Sequence, residues 1–274
     1  MSPEEILVDA IGTKVAVRQS QKPLVVGICG AQGCGKSTVA AAIAARFDRT
    51  AILSIDDLYL GHAERLDLAR RVHPLLATRG VPGTHDSMLG IEVIGALTRG
   101  ETVALPRFDK ALDDRVPQER WPMAPAGCEL VIFEGWCVGA RPQRPEELTE
   151  PTNRLEAEED RDGRWRRFAN DALAGEYQQL FSRIDTLAMM AAPDWETVLD
   201  WRIEQEHDLR AANANGAGLM DDHAIARFVS HYERLTRHIL AEMPARADLV
   251  LRLNAARQCV GAAKPAMSYA SGRN

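Results

Sequence analysis

A glycine-rich turn between an apolar run and a helical pattern limits most strongly what this chain can fold into. The turn reads Gly30-Ala31-Gln32-Gly33-Cys34-Gly35-Lys36-Ser37, followed by Thr38. Its glycines let successive backbone N–H groups converge on one anion without clashes from Cβ atoms. The helix that starts near Lys36 points its positive end at the same place, Lys36 can reach nucleotide phosphates, and Ser37 can ligate Mg²⁺. The turn is therefore predicted to be a nucleotide-binding P-loop, and the absence of G-x-G-x-x-G excludes a dinucleotide-binding turn.

The segments around this turn predict an α/β fold. Leu24–Cys29 is a continuous apolar run, which is typical of a strand buried on both faces of a parallel sheet. A helical pattern follows it, and a second strand is predicted over 51–55. Further strands are predicted over 130–133, 184–191 and 249–253, with helical patterns between them, and the chain starts with a helix over roughly 4–18. This alternation predicts three α/β/α layers around a mostly parallel sheet.

The expected organisation is one P-loop domain over 1–261 with a flexible tail at 262–274. Two polar stretches interrupt the alternation of strands and helices. The stretch 61–128 is predicted to be an insertion that forms the acceptor site, and 141–170 a lid. Long polar insertions on a rigid sheet are where substrate sites and lids usually lie.

Acidic residues follow two of the predicted strands. Asp56 and Asp57 come after 51–55, and Glu134 follows 130–133. Because the carboxyl ends of parallel strands open onto one crevice, these acids should lie near the terminal phosphate. A carboxylate there can accept a proton from an attacking hydroxyl, and Glu134 can hold a metal-bound water. The alternatives are a helix N-cap for Asp57 and a capped strand end for Glu134.

Composition narrows the function classes. The 274 residues carry a net charge of −6 without a basic block, which argues against general nucleic-acid or membrane-surface binding. No apolar run approaches ~18 residues, and the first residues do not resemble a secretory signal. The five cysteines form no C-x-x-C pair, so neither a disulfide framework nor a zinc site is indicated. The chain is predicted to be cytoplasmic, as a monomer or homodimer.

Several segments together resemble the P-loop D-glycerate 3-kinases, a branch of the phosphoribulokinase, uridine kinase and pantothenate kinase group. Besides the P-loop, the resemblance is carried by SIDDLY at 54–59, RGVPGTHD at 79–86, LPRFDK at 105–110, FEGW at 133–136 and Trp201-Arg202. It covers most of 22–245. The resemblance implies ATP and Mg²⁺, D-glycerate as the acceptor, and a P-loop fold with a five-stranded sheet. It also places Asp56 where this group keeps its base, with Tyr59 and Asp86 near acceptor-binding positions.

An acceptor of this kind needs a cation for its carboxylate. The candidates in the insertion are Arg79, Arg107, Lys110 and Arg115, with Lys110, Arg79 and Arg115 preferred in that order, and a solvated loop charge is the alternative for each. Asp57 is a further candidate contact. His85 is predicted to bond a substrate hydroxyl or orient Asp86, unless it is a structural turn histidine.

Further arginines are candidates for binding the nucleotide phosphates. The charged stretch 154–167 is either a solvated helix or a lid whose Arg164, Arg166 or Arg167 swings onto the phosphates. Arg202 shares a helical stripe with apolar residues, so it is predicted to point inward toward a phosphate or a carboxylate.

The leading hypothesis is therefore an ATP-dependent kinase that makes 3-phosphoglycerate, with Lys36, Asp56 and Glu134 as catalytic residues. One alternative is a uridine- or pantothenate-type kinase with another hydroxyl acceptor. The other is a regulatory P-loop ATPase without a small acceptor. The expected partner is a small molecule, without nucleic acid or membrane.

Overall fold

The computed structural model describes residues 1–18, 20, 22–212 and 222–263. Its helices are α1 Pro3–Ala16, α2 Lys36–Arg46, α3 His62–Arg71, α4 Ser87–Thr98, α5 Arg154–Glu159, α6 Arg164–Ala174, α7 Glu176–Phe181, α8 Trp195–Ala212 and α9 Asp222–Glu242. Its strands are β1 Leu24–Gly30, β2 Thr50–Ser54, β3 Phe108–Asp109, β4 Asp114–Arg115, β5 Leu130–Gly135, β6 Thr186–Ala191, β7 Leu249–Leu253 and β8 Cys259–Ala263. Helices lie between the successive parallel strands β1, β2, β5, β6 and β7, as predicted.

One six-stranded sheet, in the order β2-β5-β1-β6-β7-β8, forms the centre, with helices on both sides. Its first five strands are parallel, which confirms the predicted α/β sheet. The sixth strand, β8, pairs antiparallel with β7 through a short turn, and sequence analysis did not predict it. Because β8 runs to Ala263, the first residues of the predicted tail belong to this strand, while 264–274 lie outside the described residues.

The middle of the sheet is apolar because helices cover both of its faces. Every residue of β1, β5 and β6 is buried, as expected for parallel strands between two helical layers. At the start of the chain, Ser2 and Glu5 form a capping box that begins α1. Leu7 and Ile11 of this helix are buried in the main core, and α1 packs against α2.

Strand register brings three functional segments to one edge of the sheet. Glu134 on β5 is level with Ile28 on β1 and with Ser54 on β2. The turns that follow these three positions therefore open onto the same crevice at the carboxyl edge. The P-loop, the Asp56–Asp57 pair and Glu134 meet there for this reason.

A second, smaller core links the two predicted insertions. It contains Leu68, Leu75, Leu76 and Val81 from the first insertion, together with Leu155 and Trp165 from the second. The division of the chain into one domain, an acceptor-site insertion and a lid stays a prediction. No helix among the described residues is both long and apolar enough to cross a membrane.

Candidate active site

A cavity of about 540 Å³ opens at the carboxyl edge of the sheet. Its walls come from the P-loop, the ends of β2 and β5, the first insertion, α8, α9 and the turn between β7 and β8. Ten of the predicted site residues other than glycines line it: Gln32, Lys36, Ser37, Thr38, Asp56, Tyr59, Arg79, Lys110, Glu134 and Arg202.

The P-loop backbone has the form that phosphate binding requires. Gly33 and Gly35 have φ of 76° and 93°, which side-chain-bearing residues rarely adopt. A Cβ at Gly33 would lie 2.8 Å from the Trp201 Cβ, whereas a Cβ at Gly35 would meet no atom within 4 Å. The open side at Gly35 leaves room for a polyanion to approach the backbone N–H groups. Gly30, Ala31 and Cys34 are buried beneath the loop.

Lys36 and Ser37 begin α2 at the cavity floor. The Lys36 ammonium donates to the Ala31 carbonyl at 3.0 Å. The Ser37 hydroxyl donates to Glu134 Oε1 at 3.2 Å, and Glu134 is buried. A hydroxyl and a carboxylate oxygen are hard ligands that fit Mg²⁺, which takes its remaining ligands from phosphates and water. Ser37 and Glu134 thus fit the predicted metal site.

Asp56 faces the cavity from a short 3-10 helix, Ile55–Leu58, whose start is capped by Ser54. Its Oδ1 accepts a hydrogen bond from the Tyr59 hydroxyl at 3.1 Å, and its Oδ2 pairs with the Lys110 ammonium at 2.6 Å. Burial by itself raises the pKa of Asp56, but the ammonium beside it more than offsets this, so the pKa lies below its ordinary value. Asp56 is therefore ionised at neutral pH.

Asp57 does not line the cavity in this arrangement, and its predicted contact with the acceptor stays a prediction. Its carboxylate accepts from the Phe108 backbone N–H and from Arg107, each at 3.1 Å. Successive side chains of a 3-10 helix lie about a third of a turn apart, so only one of two neighbours can face the crevice. Asp57 instead fixes the start of β3.

Arg115, Asp86 and His85 form a layer behind Tyr59, and none of them lines the cavity. Arg115 donates to Asp86 at 3.0 Å and to the Tyr59 carbonyl at 2.9 Å, while Asp86 caps the start of α4. The His85 ring stacks on Tyr59, with centroids 4.4 Å apart, and its Nδ1 lies 2.6 Å from the Tyr177 hydroxyl. In this arrangement the three residues hold Tyr59 and α4 in place, and their predicted contacts with the acceptor stay a prediction.

Acid should destabilise the fold through two histidines that burial holds neutral. Burial lowers the pKa of His85 to about 3 and that of His231 to about 4, whereas both rings take up protons near pH 6.5 in the unfolded chain. The unfolded chain then binds more protons below pH ~6.5, so the free energy of unfolding should fall as the pH drops. We expect a loss of about 2 kcal/mol per histidine near pH 5.

Urea unfolding at pH 7, 6 and 5 measures this loss. The His85→Gln variant, which cannot titrate, should show a shallower dependence on pH than the original chain. An equal dependence in the two proteins would contradict the assignment of part of the loss to His85.

Arg79 and Lys110, the two preferred cations, do lie in the cavity wall. Arg79 pairs with Asp113, and its guanidinium lies 5.8 Å from the centre of the Phe108 ring. Asp113 also pairs with the buried Arg65. Arg79 is therefore anchored, whereas Lys110 reaches Asp56 from the exposed turn between β3 and β4.

The arginines of the second insertion lie away from the cavity. Arg164 donates to the Arg71 carbonyl at 3.2 Å, Arg167 donates to the Asp162 carbonyl, and Arg166 is buried against Asp160 at 3.0 Å. The prediction that Arg164 contacts ATP is not supported in this arrangement. The physical reason is the second core, in which Trp165 and Leu155 pack against the first insertion and hold the charged stretch there.

Arg202 lines the cavity from α8, as its place on an inward stripe predicted. It donates to Gln205 at 3.4 Å, and its guanidinium lies 5.9 Å from the centre of the Phe228 ring. Its predicted contact with phosphate stays a prediction.

Sequence analysis missed several residues of the cavity wall, of which Tyr232 and Arg257 make the most informative contacts. Tyr232 on α9 donates to the Arg79 carbonyl at 3.1 Å and packs edge-to-face on Trp136. Arg257 follows β7, donates to the Gly33 carbonyl at 2.7 Å and pairs with Glu204 at 2.6 Å. Its place after a strand of the parallel sheet is the same signal that indicated Asp56 and Glu134. No comparable signal indicates Tyr232.

Comparisons with known proteins indicate which protein family this chain resembles. The model of the phosphoribulokinase / uridine kinase family matches residues 25–140. An uncharacterized kinase of Schizosaccharomyces pombe, mug58, is 36% identical over 253 residues, which span 85% of this chain and 87% of that protein. The chloroplastic D-glycerate 3-kinase of Arabidopsis thaliana is 28% identical over 244 residues, which span 82% of this chain and 50% of that protein.

Among solved structures, the D-glycerate 3-kinase of Cryptococcus neoformans var. grubii superposes with a TM-score of 0.79 at 26% identity. The match covers 95% of this chain and 98% of that one. Its extent includes the insertions and α9 as well as the nucleotide-binding half. Sequence, fold and P-loop geometry together show that the chain belongs to the phosphoribulokinase / uridine kinase family of P-loop kinases.

Proposed function

We propose that this kinase transfers the γ-phosphoryl group of ATP to D-glycerate, forming ADP and 3-phosphoglycerate. The observation that carries the proposal is one cavity in which the Asp56 carboxylate, with the Lys110 and Arg79 cations beside it, shares the walls with the P-loop. The cavity therefore offers a general base, and two cations that could bind the carboxylate of an acceptor, next to the P-loop. Two similar proteins named as D-glycerate 3-kinases support the choice of acceptor.

The nucleotide would be held by the P-loop and the first turn of α2. Backbone N–H groups around Gly33 and Gly35 would bind its phosphates, with the Lys36 ammonium at the β- and γ-phosphates. Ser37 and Glu134 would hold Mg²⁺, which neutralises charge that develops on the phosphate oxygens. Phosphoryl transfer depends mainly on such positioning and charge stabilisation.

The acceptor would lie between the P-loop and the first insertion. Lys110 and Arg79 would bind its carboxylate, and Asp56 would accept the proton of the attacking hydroxyl. As that oxygen bonds to the γ-phosphorus, the bond to the oxygen bridging the β- and γ-phosphates breaks, and ADP leaves with the electron pair. Tyr59, which is buried and bonded to Asp56, keeps the carboxylate in position.

The direct test is ADP release from ATP and Mg²⁺ with separate acceptors. The set is D-glycerate, L-glycerate, uridine, pantothenate, ribulose 5-phosphate and no acceptor, and phosphorus NMR locates the new phosphate ester. We expect stimulation by D-glycerate and an ester at its 3-hydroxyl. Stimulation by uridine or pantothenate alone would reject the acceptor, and equal rates with every compound would favour a regulatory ATPase.

A further inference from the structure

We propose that Lys110 masks Asp56 until the acceptor's own carboxylate draws the lysine away and exposes the base. This inference rests on the proposed function and deepens it, because it makes the acceptor's acid group a condition for catalysis. Small hydroxy acids would then be substrates, and polyols of the same size would not.

The masking contact is seen in the arrangement around Asp56. Lys110 Nζ lies 2.6 Å from Oδ2, and the Tyr59 hydroxyl lies 3.1 Å from Oδ1, so each carboxylate oxygen already has a donor. Lys110 and Asp56 both line the cavity where the acceptor would enter. A carboxylate paired with an ammonium has a lower affinity for protons and is a weaker general base.

Of the two donors, only Lys110 is placed to leave. Its side chain is 59% exposed and sits on the turn between β3 and β4, at the end of a flexible four-carbon stem. Tyr59 is buried and its ring stacks on His85, which fixes its hydroxyl. The other cation, Arg79, is held by Asp113 and can receive an acid without moving.

An acceptor carboxylate offers Lys110 the partner that it needs in place of Asp56. The ammonium keeps its protons and moves from one carboxylate to another. The freed Asp56 oxygen then accepts the hydroxyl proton while the oxygen–phosphorus bond forms and ADP departs. When no acceptor carboxylate is in the cavity, Lys110 stays paired with Asp56, and Asp56 is then a poor base toward water. Bound ATP is thereby protected from hydrolysis.

The test compares three small molecules that separate the carboxylate from the reacting hydroxyl. D-Glycerate carries both groups, D-lactate has a methyl group in place of the 3-hydroxymethyl, and glycerol lacks the carboxylate. With the original chain, ADP release from ATP should be slow both without any added small molecule and with glycerol. D-Lactate should raise ATP hydrolysis about tenfold, since its carboxylate unmasks Asp56 for water.

The Lys110→Met variant should reverse this pattern. Its hydrolysis without acceptor should rise about tenfold because the base is no longer masked, and D-lactate should have no further effect. Transfer to D-glycerate should fall at least about tenfold, with a higher KM, because one carboxylate contact is lost. Unchanged or lower hydrolysis without acceptor, or an undiminished response to D-lactate, would overturn the proposal.

A matched control lies on the same turn. Leu112 is 76% exposed, so Leu112→Ala perturbs the turn while keeping the lysine, and all three responses should match those of the original chain. Thermal melting shows that both variants are folded. If D-glycerate is phosphorylated but Lys110→Met hydrolyses no faster, masking is wrong and the proposed function stands. If hydrolysis rises but the original chain never phosphorylates D-glycerate, the acceptor is wrong and masking stands.

Discussion

The Asp56→Asn variant is expected to lose about 10²–10⁴-fold in kcat, the range that a positioned general base contributes. Asn keeps the size and shape of the side chain but cannot take a proton from the acceptor hydroxyl. ATP binding should change little, because the P-loop and Lys36 make the phosphate contacts. Initial rates of ADP formation give kcat, and equilibrium titration with ATP gives Kd.

The neighbouring residue supplies a matched control. Asp57→Asn removes the same charge one position along the chain, at a carboxylate that braces Phe108 and Arg107 outside the cavity. It should keep most of the activity of the original chain once its thermal stability has been checked. Full turnover by Asp56→Asn, or a larger loss in Asp57→Asn, would place the base elsewhere.

The Lys36→Ala variant should lose both nucleotide affinity and turnover. Removing a charged hydrogen bond to phosphate corresponds to a Kd for ATP raised about 10–100-fold. In addition, kcat should fall about 10²–10³-fold, since the ammonium would stabilise charge that develops during transfer. Calorimetry with ATP and steady-state rates separate the two effects.

Lys14→Ala is the control, because Lys14 is an exposed lysine on α1, outside the cavity. Its affinity and rate should equal those of the original chain. An unchanged Kd for ATP in Lys36→Ala would contradict the phosphate-binding role of the turn at 30–38.

Local signals in the sequence were sufficient for the nucleotide side of the cavity. The P-loop motif specifies a backbone shape within a few residues, and the apolar run before it predicts a buried strand. Asp56 and Glu134 were found because each follows a strand of a parallel sheet, where topology alone decides which edge they reach. These placements need no knowledge of distant packing.

The acceptor side was less predictable because its side chains are oriented by contacts far along the chain. Arg115 and Arg79 look equivalent as loop arginines, yet Asp86 takes the first out of the cavity and Asp113 holds the second in its wall. Arg164 lies away from the cavity because the second core holds its segment there. That core joins the two insertions through residues about 80 positions apart in the chain, such as Leu76 and Leu155. Such pairings leave no periodic pattern in a single sequence.

Arg257 shows how the edge of the sheet is coupled to nucleotide binding. The turn between β7 and β8 presents this guanidinium to Gly33, so the outermost hairpin also stiffens the phosphate-binding turn. Opening free energies in native-state fluctuations are lowest at fraying ends and loops and highest in core strands, and β8 lies at the edge of the sheet rather than in its centre. Fraying of this hairpin would therefore release the Gly33 carbonyl, although Arg257 and Gly33 are 224 positions apart in the chain. Bound nucleotide should in turn slow hydrogen exchange along β8, because Arg257 joins the two segments.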